Sequence, residues 1–531
     1  MLRVIEVLCQ GIKDYFINFF PKGVPKKKLF PLLLMLLIEG ISQNILNAYV
    51  GYLIVDMGTV SSLNEVGNYS GWLISSFSIA QFTSSFIIGA LSDNLGRRPM
   101  LMVGTFGIAI SNILFGFSFN YYFVVAMRFL NGMLNGTVGI VKAYMGEITD
   151  DSNRVQAFSF NGLTWSIGSV IGGFLGGVLY DPVNKYPAIF GKITIFKRFP
   201  ALLPQLSVAS FGFIALILAY FYLLENKVIK SEQKQEHQNK CLSILNSLKN
   251  TFKRMFKFFN KKNFWSIYCS ILYSIHGFGN TTFMTIYPLL MIASVGNGGF
   301  GLKTNEVGYF AAVASLGSLT TLLFFYKPLV RLFGLRLTYV MTIICTSMFY
   351  GIFPSLEGFN GSSLTTKWVV YSAFSFCWNL VSQNGFSSIS TLLVNAADVE
   401  YMGSANGIAQ TFVSATRVLG PIIISPLLSW GLSNEFSYPL NQYLPFYILM
   451  IVGVINSIMM LFTPPSIDFA KIQNESNNQQ ENTYTELDEE KSESENRQSL
   501  DIITPITQIN IIHSQNESIT PQLEPHNDAV I

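Results

Sequence analysis

The chain has 531 residues, 50% of them hydrophobic and 14% aromatic, but only 12% charged, with a net charge of +3. A typical soluble domain carries about 25% charged residues, so a charged shell around a soluble core of this size is excluded and the composition is that of an integral membrane protein. The five cysteines are far apart with no CxxC pair, and neither HExxH nor GxxxxGK[ST] occurs; a disulfide framework, a metal knuckle and an ATP-driven pump are therefore not indicated, and no nucleophile–base pair is legible that would make an enzyme.

Residues 1–28 are broken by Glu6, Lys13 and Asp14 and lack a small-residue cleavage site, so they are expected to be a cytosolic segment rather than a signal peptide. Twelve apolar stretches follow, at about 29–53, 72–91, 100–118, 121–144, 157–180, 203–224, 264–292, 305–327, 335–353, 367–394, 404–430 and 442–463. Each is near the roughly 20 residues with which a helix crosses a bilayer, and none has the alternation of a membrane strand. The expected fold is all-α and integral to the membrane: twelve transmembrane helices in two six-helix halves, 29–224 and 264–463, joined by a lysine-rich cytosolic loop at 225–263. The tail, 464–531, is rich in Asn, Gln, Ser and Glu with few aromatics, a composition that favours disorder.

Lys and Arg mark the cytosolic side. Lys22 and Lys26 to Lys28, Arg97 and Arg98, the central loop, and Lys327, Arg331 and Arg336 all fall on one side of an even-numbered topology, which places both termini in the cytosol. Lys185, Lys192, Lys197 and Arg198, between segments five and six, are the exception. Asn68-Tyr-Ser and Asn360-Gly-Ser are glycosylation sequons on the opposite side. A faint repeat is present too: segments two and three flank SDNLGRRP, and segments eight and nine flank KPLVRLFGLR. Duplicated halves are a usual transporter construction.

The turn between segments two and three reads GALSDNLGRRPML (89–101). Positive-inside anchoring explains Arg97 and Arg98, but not Asp93 or Gly89 four residues before it on one helix face. The stretch resembles the signature loop of the major facilitator superfamily, G-x-L-(S/A)-D-x-x-G-R-(R/K)-P. The resemblance implies a latch on the cytosolic side, formed by Gly89, Asp93, Gly96, Arg97 and Arg98, with Glu147 and Arg154 as charged companions. RFLNGMLNGTVGIVKAYMGEI (128–148), WSIGSVIGGFLGG (165–177), KYPAIFGKITIFKRFPALLP (185–204) and ANGIAQTFVSATRVLGP (405–421) are similar to the zinc-induced-facilitator-like branch, of drug:proton-antiporter type. Segment five departs from that branch's GPxxGG: Ser169 replaces the proline between Gly168 and Gly172-Gly173, leaving close packing possible but removing a kink.

Charges inside membrane helices are costly and usually face a cavity. Glu39 lies mid-segment one, with Gln43 and Asn47 one and two turns on along the same face. It is a candidate to take and release a proton; the plainer alternative is a structural acid paired with a neighbouring helix. Arg128, with Asn131 and Asn135 following at helical spacing, matches the antiporters' RxxxG, which the resemblance links to proton coupling; the alternative is an arginine snorkelling to water. Arg417 in segment eleven can meet an anionic substrate or an acid, and Lys142 is expected to be a positive-inside anchor. His276 and Asn280 share a face of segment seven, and Asn379 and Gln383 lie in segment ten, as cavity candidates or as glue between helices.

These features point to a monomeric secondary transporter in a lipid bilayer, working by alternating access and needing no cofactor, metal or nucleic acid. The resemblance implies proton-coupled antiport of a small organic molecule, a metal chelate or a cation. A proton-independent facilitator or a symporter of the same fold, and a non-transporting receptor or scaffold, are the alternatives. The expected location is the plasma membrane or an endolysosomal or vacuolar membrane; Tyr484-Thr-Glu-Leu487 in the tail has the form of a sorting signal.

Overall fold

A computed structural model describes residues 26–148, 154–223, 263–397, 402–434 and 436–468. The N-terminal segment, the central loop and the tail with Tyr484 therefore lie outside the described residues, apart from residues 26–28, 263 and 464–468.

Segment one forms α1 (Lys26–Asn44), a 3-10 turn (Ile45–Ala48) and α2 (Val50–Asp56). α3 (Gly67–Leu95) and α4 (Arg97–Gly116) meet at Gly96, whose φ of 104° suits a residue without a side chain. Segment four divides into α5 (Tyr121–Leu134) and α6 (Thr137–Ile148), because Asn135 is extended and Gly136 packs against Ile88. α7 (Arg154–Leu179) is followed by three short helices, α8 (Pro182–Lys185), α9 (Pro187–Phe190) and α10 (Thr194–Arg198), before α11 (Leu202–Tyr222). Proline opens α8 and α9, where its missing N–H costs nothing.

The second half runs α12 (Phe264–Ile292), α13 (Thr304–Thr320), α14 (Tyr326–Ile352), α15 (Leu364–Asn395), α16 (Met402–Ser433) and α17 (Leu444–Leu461). A π-turn at Thr321–Phe325 joins α13 to α14, and α14 turns at Gly334, where φ is 76°. Among the described residues, eight helical stretches are long and apolar enough to cross a bilayer, one of them, Thr304–Gly361, holding two expected segments. α3, α12 and α15, at 29, 29 and 32 residues, are long enough as well and carry the polar residues Ser75, Gln81, His276, Asn280, Asn379 and Gln383.

Large apolar side chains face outward along the helices, Phe221 and Ile451 among them, 70% and 54% exposed. Patches of this extent are unfavourable in water and natural against lipid. The chain is a multi-pass membrane protein with the all-α architecture expected.

α7 shows how glycine sets the packing. Gly168, Gly172 and Gly176 lie four residues apart and face α1 and the turn after it: a methyl on Gly168 would stand 2.6 Å from Leu37 O, and one on Gly172 2.7 Å from Ile41 O. Gly173 and Gly177 face α13 instead, where a methyl on Gly177 would stand 2.5 Å from Gly308 Cα. One helix thus binds its own half on one glycine row and the opposite half on another.

Candidate substrate cavity

A cavity of about 490 Å³ lies between the halves, within the usual size of small-molecule sites. Gln43, Asn47, Arg128 and Lys142 line it from the first half, and Asn280, Asn379, Gln383 and Arg417 from the second. It extends to Leu393 and Asn406, near the ends of α15 and α16 on the face that carries Gly334. At the opposite face the halves are in contact. Gly177 meets Gly308, Gly67 N–H donates to Ser429 Oγ (2.8 Å), Ser75 Oγ donates to Val418 O (2.8 Å), and Tyr52 Oη donates to Leu302 O (2.9 Å).

Glu39 is fully buried and stands behind the cavity wall rather than on it. Gln43 Nε2 donates to its Oε1 (3.3 Å), and Oε2 has no hydrogen-bond partner. Asn135, the Val138 backbone and the Lys142 ammonium lie around the carboxyl group. Asn135 accepts from Gln81 Nε2 (3.4 Å), while its Nδ2 is unpartnered. The acid and the amide therefore lie side by side in the same buried place.

Arg128 is buried at 6% exposure, far too deep to snorkel. Its Nη1 donates to Ser42 O (3.3 Å), its guanidinium lies 4.7 Å from the Phe77 ring centroid, and its Nε has no partner. Such partners leave the positive charge available to a ligand in the cavity. Lys142, expected as an interfacial anchor, instead lines the cavity, exposed to it, between the fields of Glu39 and Arg417. Sequence spacing missed this role because the break at Asn135–Gly136 alters the direction in which α6 presents its side chains.

Asn131, Asn135 and His276, expected as cavity candidates, do not line the cavity. Asn131 Nδ2 donates to Ser111 Oγ (2.8 Å), joining α5 to α4. His276 is buried in the second half behind Phe386, which lines the cavity, its ring 4.4 Å from that of Phe386; the Ser382 backbone lies beside it, and Ser382 Oγ donates to Asn280 Oδ1 (3.0 Å). Ser169 occupies the position of the branch's proline, lines the cavity and accepts from Asn44 Nδ2 (2.9 Å); a hydroxyl link between α1 and α7 stands where the expected loss of the proline left room for one.

At the signature loop, Arg97 Nη1 donates to Ser92 Oγ (2.7 Å) and Arg98 Nη2 to Tyr220 O (2.7 Å). The surroundings of Gly89 and the side chains of Asp93, Glu147 and Arg154 lie outside the described ones. Asn68 is exposed in the first turn of α3. The Asn360 amide is engaged on both sides, donating to Gly299 O (2.9 Å) and accepting from Tyr371 Oη (3.0 Å). Among the described residues no group of three or more His, Cys, Asp or Glu is placed to hold a metal ion.

A family profile described as Major Facilitator Superfamily matches residues 32–421 and 269–502. The chain is 28% identical to Protein ZINC INDUCED FACILITATOR 1 of Arabidopsis thaliana, over 86% of this chain and 95% of that one. It is 26% identical to the Major facilitator superfamily multidrug transporter mfsB of Aspergillus fumigatus, over 85% of this chain and 86% of that one. In fold it resembles the crystal structure of a D-xylose-proton symporter, with a TM-score of 0.62 at 15% identity, covering 83% of this chain and 98% of that one.

Proposed function

This chain belongs to the Major Facilitator Superfamily, a family of membrane transporters for small molecules rather than of enzymes, and from that premise we propose that it carries a negatively charged small organic molecule by alternating access. One observation carries the reading. Arg128 and Lys142 from one half and Arg417 from the other line the cavity, and no carboxylate lines it with them among the described residues. A metal would then travel as an anionic chelate rather than as a bare cation, whose binding three positive charges oppose.

The conformation fits one stage of such a cycle. It is closed at the Gly177–Gly308 face and extends toward the face of the signature loop, which the Lys and Arg distribution assigns to the cytosol. The protein works as a monomer with both termini in the cytosol, in the plasma membrane or an endolysosomal or vacuolar membrane. Proton coupling belongs to the same reading, with Glu39 as the proton site and Arg128 modulating it. Antiport, which the sequence resemblance implies, requires proton and substrate to oppose each other on the carrier.

The test is uptake into proteoliposomes from a defined mixture of aryl sulfonates, mono- and dicarboxylates and quaternary ammonium ions, read by mass spectrometry against protein-free vesicles. Anions should enter, and Lys142→Ala and Arg417→Ala should each suppress entry at normal protein levels. Entry of the ammonium ions without the anions refutes the reading.

A further inference from the structure

We propose that proton and substrate reinforce each other in this cavity: a proton on Glu39 releases Lys142 to the substrate's negative group, so that one proton and one organic anion cross together rather than in exchange. This rests on the anion reading above and adds the sign of the coupling and the residue that transmits it.

Lys142 is the link because of where it stands. It lines the cavity, whereas Glu39 lies behind the wall and is closed off from the cavity. Lys142 feels the Glu39 carboxylate from α1 and the Arg417 guanidinium from α16 in the opposite half. With Glu39 ionised, its negative charge behind the wall formed by Gln43, Val138 and Lys142 offsets part of the ammonium's attraction for an anion in the cavity. With Glu39 protonated, Lys142, Arg128 and Arg417 are three like charges around one space, and an anion relieves their repulsion. By linkage, whatever a proton adds to anion affinity, the anion adds to proton affinity. A carrier of this kind favours either the empty, unprotonated form or the form holding both. Antiport needs the opposite sign.

The groups around Glu39 support this accounting. Among the charged and titratable groups on the helices packed against α1, Lys142 on α6 is the one that acts on the carboxyl. Arg128 on α5 is directed at Ser42 O and the Phe77 ring. α7 presents Gly168 and Gly172 to α1, α4 presents Asn112, which is bonded to Ser42, and α11 presents Gln205, bonded to Tyr49. The proton has a place as well. Oε1 already accepts from Gln43, while Oε2 has no partner within hydrogen-bonding geometry, with Asn135 and the Val138 backbone beside the group, so Oε2 is the oxygen open to a proton. No bond of the substrate changes, and a proton with a monoanion carries no net charge.

The experiment imposes a pH gradient on proteoliposomes with the membrane potential clamped at zero. The probe is 2-naphthalenesulfonate, which stays ionised and does not follow the gradient by passive diffusion, together with the carboxylates that enter in the uptake test. Co-transport concentrates them in the alkaline compartment, by up to about tenfold per pH unit for one proton per monoanion. In Glu39→Gln that concentration should disappear, and in detergent the gain in anion affinity on acidification should vanish in both Glu39→Gln and Lys142→Gln. Concentration in the acidic compartment would show antiport and overturn this proposal while leaving the anion reading intact. Entry that ignores the gradient in the wild type also overturns it. If no anion enters under any gradient, the anion reading itself is refuted, and the coupling with it.

Discussion

Arg98 and Arg336 make the same bond in the two halves of the molecule. Arg98 Nη2 donates to Tyr220 O at 2.7 Å, and Arg336 Nη2 to Leu461 O at 2.6 Å. Each arginine lies two residues after a glycine of positive φ, Gly96 or Gly334, and each acceptor lies near the end of the sixth spanning helix of its half, α11 or α17. The faint repeat of glycine and basic residues is thereby a structural repeat, in which a charged donor satisfies an orphan carbonyl at a helix C-terminus.

Equivalent places should have equivalent energetics. Arg98→Ala and Arg336→Ala should each lower stability by about 1 kcal/mol, the net worth of a typical hydrogen bond. The two losses should add in the double variant, since the sites are independent. Thermal unfolding in detergent reads both; a loss at one site only contradicts the equivalence.

The Gly177–Gly308 contact should be needed for the closed face. Gly177→Leu overfills a crossing in which even a methyl would stand 2.5 Å from Gly308 Cα. Overpacking costs about 1–3 kcal/mol, a roughly 5- to 150-fold shift of population toward the form open at that face. Spin labels at Asn64 and Ser294, which hydrogen-bond across the halves there, should move apart. Gly139→Ala, with nothing within 4 Å, is the control and should leave their distance unchanged.

Ser169 should resist conversion to the proline of the GPxxGG pattern. Ser169→Ala loses the bond to Asn44, at about 1 kcal/mol. Ser169→Pro also loses a backbone donor inside a helix, at about 3 kcal/mol. Denaturation in mild detergent should order the three proteins wild type, Ala, Pro; a proline variant as stable as the wild type would mean that α7 already carries the kink.

Lys185, in the loop between α7 and α11, gives a pH dependence outside the spans. Burial pushes its ammonium from the ordinary 10.5 to about 8, against the opposing pull of Asp181. Between those values the unfolded chain holds a proton that the folded chain does not, so stability rises with pH through that window and is flat with respect to this group below it. Melting temperature from pH 7.5 to 10 should climb more steeply in the wild type than in Lys185→Gln. Equal slopes would dismiss the effect.

Asn68 rather than Asn360 should carry a glycan when the protein is made in a eukaryotic secretory pathway. The first is exposed, and the second has both ends of its amide hydrogen-bonded. A gel shift abolished by Asn68→Gln and untouched by Asn360→Gln is expected; the reverse would contradict this geometry.

The sequence alone determined that the chain spans a membrane with helices, because low charge and long apolar runs have few other physical solutions. It determined the turns at Gly96 and Gly334 as well, since glycine among basic residues is a local signal, and it singled out Glu39, Arg128 and Arg417, since a charge in an apolar run is visible wherever it faces. Facing was left to tertiary structure. Asn131 and Asn280 have the same polar pattern in sequence, yet one bonds between two helices of its own half and the other lines the cavity. Lys142 passes for an anchor until the break at Asn135 and Gly136 turns α6. The two glycine rows of α7 are one string of residues until α1 and α13 pack on different sides of it. Hydrophobic periodicity records how much of a helix avoids water, but in a bundle within lipid both the packed side and the lipid side are apolar. Which polar residues meet across the cavity was therefore decided only by the packing of helices far apart in the chain.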